Sequence, residues 1–197
     1  VLSSSADRVL ILWDLERGDV VRRFSGDTSG VTNLTFSADG RMVLSGSTEG
    51  VLILWNAETG SEIRRFEGGE VSWTTSLAFS ADNHTALSGT QGYGAIFWNI
   101  ESGTEIRRVG DYPYWIAHLE FSPDGRTALT CSQSDFVTLW DVESGALLRT
   151  FEGSEPSVAA ALSPDGRTML SDSSAGGLAL WDVESGFVIR SFEQDAG

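Results

Sequence analysis

Side chains that commonly perform catalysis are scarce in this chain. A Ser-His-Asp triad needs a histidine as its base, and a zinc site needs several Cys, His or carboxylate ligands. The sequence contains two histidines and one cysteine. His84 falls in a predicted turn and His118 in a predicted strand, where packing is the simpler interpretation, and Cys131 lies in an apolar strand as a buried thiol. We therefore expect no catalytic residues and no metal site.

The acidic residues recur at fixed spacing instead of clustering. Asp39, Asp82, Asp124 and Asp165 each follow a serine by two positions, as in Ser122-Pro123-Asp124-Gly125, where Asp accepts local hydrogen bonds in a turn. A second repeated set is Asp14/Glu16, Asp141/Glu143 and Asp182/Glu184. A repeated fold requires acidic residues at regular spacing, and catalysis does not. The second set should make one rim of the molecule acidic, and a weak calcium site there is a minor alternative. No phosphate-binding loop or nucleotide fingerprint occurs, so we expect no cofactor.

The charge balance restricts the class of partner. The chain has 28 acidic residues against 13 basic ones, all of them Arg, for a net charge of −15. Nucleic acids and anionic membranes need clustered cations, and no apolar run approaches the 18 residues that span a bilayer. We expect neither partner. Solubility is the simplest role of the charge, and a basic protein surface is the alternative. No signal sequence is apparent at Val1, so we expect a cytoplasmic protein.

A tryptophan followed by Asp or Asn returns every 41–43 residues. The five copies are Trp13, Trp55, Trp98, Trp140 and Trp181. A period of about 40–45 residues carrying a Trp-Asp pair is typical of a β-propeller blade. The period therefore predicts five copies of one structural unit.

Each repeat contains four short apolar segments separated by turns. Alternation in segments such as Leu34-Thr35-Phe36 predicts strands, and the Ser-X-Asp-Gly and Glu-Ser-Gly segments predict the turns between them. No helical period appears. We predict an all-β propeller with four complete four-stranded blades plus three strands of a further blade. The predicted boundaries are 1–24 for the partial blade, then 25–66, 67–109, 110–151 and 152–197, the last including a tail.

In its repeat length, turns and Trp pair the chain resembles the WD40 repeat family along essentially its whole length. The resemblance implies blades around a central channel, most often seven, acting as a rigid platform for protein partners. Many blades of that family bond the Trp to a Ser/Thr, Asp and His set. Here the Ser/Thr member recurs as Ser3, Ser45, Ser88, Thr130 and Ser171, but the Asp position holds Asp7, Glu49, Gly92, Ser134 and Ala175, and the His is replaced throughout. The buried indole N–H still needs an acceptor, so Ser/Thr or water must supply it.

The first and last strands suggest an incomplete ring. The chain opens at a second strand and closes with a fourth, so one inner strand is missing. We expect a piece of a longer polypeptide. A self-contained five-bladed ring lacking that strand and a ring built from two chains are the alternatives.

Aromatic residues that break the repeat indicate a binding surface. Trp73 and Trp115 each precede a predicted first strand, where the other repeats have Gly30 and Pro156. Four more aromatics lie in neighbouring loops: Tyr93, Tyr112, Tyr114 and Phe136. In the family's layout these loops share the top face of blades three and four, and exposed Trp and Tyr are typical of interface hot spots. Capping of its own blade by each Trp is the alternative.

An arginine also recurs in the fourth strand of every repeat. The copies are Arg22, Arg64, Arg107, Arg149 and Arg190. Charge on an exposed edge strand discourages edge-to-edge pairing, so we expect edge protection and ion pairs with the many acids. A phosphate-binding rim is the alternative, which the surrounding negative charge disfavours.

These features predict a non-catalytic scaffold or recognition module for protein partners. Turn composition and Arg in place of Lys suggest a bacterial protein, in which such arrays are often the sensor or regulatory segment of a multidomain signalling protein. A structural segment of a large assembly is the second hypothesis, and an enzyme with its site in the channel is the third.

Overall fold

The structure, a computed structural model, describes residues 1–5, 9–24, 30–66, 73–110, 115–132, 137–151, 159–172 and 177–192. Within these ranges the chain forms nineteen β-strands and no helix. The described residues therefore contain no helix that is long and apolar enough to cross a membrane. The all-β prediction is confirmed.

The strands form five antiparallel sheets that follow one another along the chain. Sheet 1 has three strands in the described residues: β1 (Leu2–Ser5), β2 (Val9–Trp13) and β3 (Val20–Phe24). Sheet 2 comprises β4 (Val31–Phe36), β5 (Met42–Ser47), β6 (Leu52–Asn56) and β7 (Glu62–Phe66). Sheet 3 comprises β8 (Thr74–Phe79), β9 (Thr85–Thr90), β10 (Ala95–Asn99) and β11 (Glu105–Val109). Sheet 4 comprises β12 (Ile116–Phe121), β13 (Thr127–Ser132), β14 (Val137–Asp141) and β15 (Leu147–Phe151). Sheet 5 comprises β16 (Ala160–Leu162), β17 (Thr168–Asp172), β18 (Leu178–Asp182) and β19 (Val188–Phe192).

This is the predicted pattern of four complete blades and three strands of another. Strand order within each sheet follows chain order, as expected for hairpin-connected strands. The residue boundaries predicted for the blades stay a prediction, since the chain between several sheets lies outside the described residues.

The turns between first and second strands are held by serine and aspartate together. In sheet 4 the Ser122 hydroxyl donates to the Asp124 carboxylate at 2.6 Å, and the Arg126 backbone N–H donates to the same carboxylate at 3.0 Å. Gly125 completes the turn at φ +70°, and Asn83 occupies the equivalent position in sheet 3 at φ 61°. Positive φ is the reason for Gly or Asn at this point. These aspartates are therefore structural.

The hydrogen bonds lower the pKa of each turn aspartate below its ordinary value of 3.8. In Asp39, Asp82, Asp124 and Asp165 the largest cause is the serine hydroxyl, followed by the backbone N–H two residues on. The pKa values of Asp141 and Asp182 fall for the same reason, through Ser144 and Ser185.

These shifts predict loss of stability in acid. A carboxyl whose pKa is lower in the folded state stabilises the fold in full above 3.8, and this contribution disappears as the pH falls through the folded-state pKa. Asp124→Asn and Asp165→Asn should melt at lower temperature than the wild type at neutral pH, and the difference should shrink below pH 3.8. Thermal melts across this range test the prediction, and a difference that is independent of pH would contradict it.

Successive sheets pack face to face, and each sheet has two distinct faces. The Trp face contains the repeated tryptophan; in sheet 2 it consists of Val43, Ile53, Trp55 and Ala57. The forward face is the opposite one; in sheet 2 it consists of Leu44, Leu52, Leu54 and Phe66. The forward face of each of sheets 1 to 4 packs on the Trp face of the next sheet. The hydrophobic core therefore lies between sheets and not in one central volume.

Every repeated tryptophan is bonded within its own sheet. The indole Nε1 of Trp98 donates to Ser88 Oγ at 2.8 Å, and the other four donate to Ser3, Ser45, Thr130 and Ser171 at 2.8–2.9 Å. The Ser or Thr hydroxyl is thus the acceptor of the indole N–H in every sheet, although no repeat has both the Asp and the His of the family's hydrogen-bonded set. A phenylalanine from the preceding sheet meets three of the rings edge to face, in the pairs Phe24–Trp55, Phe66–Trp98 and Phe151–Trp181.

The repeated arginine contacts the following sheet instead of a carboxylate partner. The side-chain methylenes of Arg149 lie so close to Gly186 of sheet 5 that an added Cβ would be 2.8 Å from Arg149 Cδ. The Arg149 guanidinium donates to the carbonyl oxygens of Ser185 at 2.8 Å and Glu184 at 2.6 Å. The same Arg-on-Gly contact joins Arg22 to Gly60, Arg64 to Gly103 and Arg107 to Gly145.

Edge protection is therefore an incomplete explanation of the arginine column. The predicted ion pairs do occur, but they involve the next residue in the strand: Arg65 pairs with Glu62 at 2.9 Å and Arg108 with Glu105 at 3.0 Å. In sheets 1 to 4 the repeated arginine itself packs on the turn glycine of the next sheet. We call this contact the Arg–Gly contact below.

Candidate functional site

Two of the predicted binding residues come together at one edge of sheets 3 and 4. Trp73 directly precedes β8 and Trp115 directly precedes β12. Gln91, which directly follows β9, joins them through the backbone: its N–H donates to the Trp73 carbonyl oxygen at 3.1 Å, and it forms an isolated antiparallel bridge with Trp115. The two tryptophans are thus fixed at the same edge by main-chain contacts.

Their side chains form an exposed aromatic pair. The ring centroids are 6.2 Å apart at an interplanar angle of 50°. Trp73 is 47% exposed and Trp115 is 38% exposed, while the repeated tryptophan of the same sheet, Trp98, is 2% exposed. Neither Trp73 nor Trp115 belongs to the buried clusters between sheets. Each of the two residues therefore has surface available to another molecule.

Tyr93 adds a third aromatic ring at this edge. It lies in the segment between β9 and β10, two residues after Gln91 and between Gly92 and Gly94, both of which have positive φ. The Arg108 guanidinium lies 6.0 Å from the centroid of the Tyr93 ring, within the range of a cation–π contact. We call Trp73, Tyr93 and Trp115 the aromatic surface.

The other three predicted members lie outside the described residues. These are Tyr112, Tyr114 and Phe136. Their part in binding stays a prediction, as does that of the aromatic surface itself. Sequence reasoning missed two residues of this region. Gln91 contacts the backbone of both tryptophans, and Arg108 faces the Tyr93 ring. Neither residue stands out from the repeat in the sequence, so only the fold reveals the contacts that these two residues make.

The residues considered for catalysis are apart from one another. His84 is an exposed turn residue whose Nδ1 lies 2.8 Å from the Asp82 carbonyl oxygen. His118 is half-buried in β12, and Cys131 is fully buried between sheets 4 and 5. Among the described residues, no group of three His, Cys, Asp or Glu could hold a metal ion.

A cleft of about 450 Å³ lies where the Ser-X-Asp turns of sheets 4 and 5 approach each other. Its lining includes Asp124, Asp165 and Val183. Each carboxylate accepts hydrogen bonds from the serine hydroxyl and a backbone N–H of its own turn. Both are therefore engaged in turn structure, and the part of the cleft that the structure describes offers no pair of carboxylates for acid–base chemistry.

Comparison with known families agrees with the repeat. The sequence model of the WD40 family, described as WD domain, G-beta repeat, matches residues 18–56 and 105–141. Each match starts at or just before the last strand of one sheet and ends at the third strand of the next. The resemblance drawn from the Trp repeat is confirmed. No curated protein matches the chain.

Proposed function

We propose that the chain is a non-catalytic recognition module. Two of its segments match the WD40 family model, and WD40 domains generally mediate protein–protein interaction and are typically non-catalytic. The aromatic surface is its contact site for a protein partner. One observation carries the proposal: two half-exposed tryptophans touch each other outside the core. Trp and Tyr are the residues most enriched in interface hot spots because they bury a large area with few rotatable bonds.

The partner presents a basic surface next to its apolar contact residues. In the layout of the WD40 family, the segments that join fourth to first strands and second to third strands share one face. The sequences of these segments contain nine acidic residues and one basic residue, Arg8. The acids are Asp7, Asp27, Glu49, Glu67, Glu70, Asp111, Asp135, Glu152 and Glu155. Charges of one sign increase the association rate of an oppositely charged partner.

The same features suit a regulatory or sensor segment of a larger cytoplasmic protein. A platform that binds without reacting needs other domains to convert binding into a response. The rest of a longer polypeptide, or a second chain, would complete the propeller. The alternative of a structural segment in a large assembly is favoured by the uncovered sheet faces that are described in the next subsection.

Truncation of the aromatic surface should abolish partner binding. Peptides selected from a displayed library on the wild-type chain, without counter-selection, serve as the ligands for this test. Each single variant should weaken their binding by about 2 kcal/mol, or roughly 30-fold. Because the indoles are half-buried and contact each other, each variant should also cost about 1 kcal/mol of folding stability. Titration calorimetry and denaturant unfolding measure the two effects.

Two further results decide between binding and capping. Glu143→Gln and Glu184→Gln lie in turns at the opposite ends of the strands and should leave binding unchanged. If both tryptophans only cap their sheets, selected peptides will bind the double variant as well as the wild type, and its melting temperature will fall sharply. That outcome would exclude the aromatic surface as the site.

A further inference from the structure

The forward face of sheet 5 is uncovered. Leu170, Leu178, Leu180 and Phe192 occupy the positions at which the forward faces of sheets 1 to 4 pack on a neighbouring sheet. Leu178 is 44% exposed, whereas Leu52, Ala95 and Val137 at the same position are 0–2% exposed. Among the described strands, none covers this face.

The Trp face of sheet 1 is uncovered as well. Val1, Ile11, Trp13 and Leu15 occupy the positions at which the Trp faces of sheets 2 to 5 receive a forward face. Leu15 is 74% exposed, whereas Ala57 and Ile100 at the same position are each 7% exposed. The chain therefore has both halves of the repeated sheet-to-sheet interface, and no described residue covers either of them.

The two ends also carry matching halves of the specific contacts. Phe192 stands where Phe24, Phe66 and Phe151 meet a tryptophan edge to face, and among the described residues no phenylalanine meets Trp13 in this way. Arg190 stands where Arg149 packs on Gly186, and its guanidinium lies 6.0 Å from the Phe192 ring centroid.

The glycine half of the Arg–Gly contact is open at the other end. Gly18 has positive φ, like Gly60 and Gly186, but nothing lies within 4 Å of a Cβ added to it. The carbonyl groups of Glu16 and Arg17 are at the positions from which Glu184 and Ser185 accept the Arg149 guanidinium. Arg17 is a cation at the position where the other turns have Ser or Thr, and Glu16, which has a glutamate counterpart in every turn, lies beside it.

We propose that the forward face of sheet 5 binds the Trp face of sheet 1 of a second copy of this chain. The junction repeats the internal one, with Phe192 against Trp13 and Arg190 against Gly18 of the second copy. Both surfaces belong to this chain, so two copies of it supply the two halves of the junction. The contact is head to tail, because the two surfaces differ, and it can extend to a further copy or close into a ring. It is separate from the aromatic surface, so the proposed binding site does not depend on it.

Sedimentation of the whole chain across a wide concentration range tests the proposal. We expect the mean mass to rise above that of one chain as the concentration increases. Leu178→Asp and Leu15→Asp, one on each face, should each weaken association by at least about tenfold, since a buried carboxylate would lie in the junction. Ile106→Asp is the matched control: Ile106 is also 44% exposed, but it lies in the outer strand of sheet 3, and the variant should associate as the wild type does.

Mixing the two variants tests the head-to-tail arrangement. Leu178→Asp keeps an intact sheet 1 and Leu15→Asp keeps an intact sheet 5, so the mixture should form dimers and stop there. Association of Leu15→Asp alone, as strong as that of the wild type, would mean that sheet 5 binds sheet 5 and would overturn the proposal.

A wild-type chain that stays monomeric would overturn it too. If the monomer then melts at lower temperature with Leu178→Asp but not with Ile106→Asp, its own sheet 1 covers the face in solution. If neither variant changes the melt, the face has no occupant.

Discussion

Trp98→Ala should lower the free energy of unfolding by about 3–5 kcal/mol, the usual range for removal of a fully buried aromatic side chain. Trp98 is 2% exposed and lies in the cluster between sheets 2 and 3. Its removal leaves a cavity, deletes the edge contact with Phe66 and leaves the Ser88 hydroxyl without its donor. Because such a cluster joins neighbouring sheets, the loss should affect the packing of both. Denaturant unfolding followed by circular dichroism measures the change.

Two variants separate packing from hydrogen bonding at this position. Ser88→Ala removes the acceptor and leaves the indole N–H buried without a partner, which should cost about 1–3 kcal/mol. Trp73→Ala removes the same side chain from the exposed edge and should cost about 1 kcal/mol. Equal losses for Trp98→Ala and Trp73→Ala would contradict the assignment of Trp98 to the core.

Gly94→Ala should lower the free energy of unfolding by about 3 kcal/mol or more, because two costs act together. Gly94 has φ +70°, a conformation that costs an L-residue about 1–2 kcal/mol. An added Cβ would also overlap the carbonyl oxygens of Val109 and Gly110. These are backbone atoms at the end of β11, so they cannot move aside without disturbing the strand beside β10.

Gly92→Ala is the matched control for this prediction. Gly92 lies in the same segment and also has positive φ, but nothing lies within 4 Å of an added Cβ. Its substitution should cost only the backbone strain, about 1–2 kcal/mol. Comparison of the two unfolding curves isolates the close approach, and equal losses would show that the overlap is relieved by a small shift of the chain.

Much of the fold could be predicted from the sequence because its signals are local and repeated. Alternation identifies a strand within six residues, Ser-X-Asp-Gly identifies a turn within four, and the return of Trp55 as Trp98 and Trp140 places these elements in register. The Ser/Thr acceptor could also be anticipated, since Ser45, which bonds the Trp55 indole, lies a fixed ten residues before it. The repeat thus indicated which residues share a face before any contact was known.

The aromatic surface could be predicted only in part. Trp73 and Trp115 attract attention because they break the repeat, and the order of strands places both at one edge. Their ring contact, their half-exposure and the bridge through Gln91 depend on how β8, β9 and β12 approach one another. Sequence spacing does not contain that distance. Whether the surface binds a partner stays a prediction.

The repeated unit, its turns and the alternation that gives every sheet two apolar faces are evident from the amino-acid sequence. Those features follow from backbone conformation and side-chain period, which act over a few residues. How the units meet is visible only in the folded chain. The Arg149 side chain lies against Gly186 of the next sheet, and Leu178 is uncovered while its equivalents are buried. Strands with the same local pattern differ in burial, because the exposure of a residue depends on the neighbouring sheet and not on the strand that carries the residue.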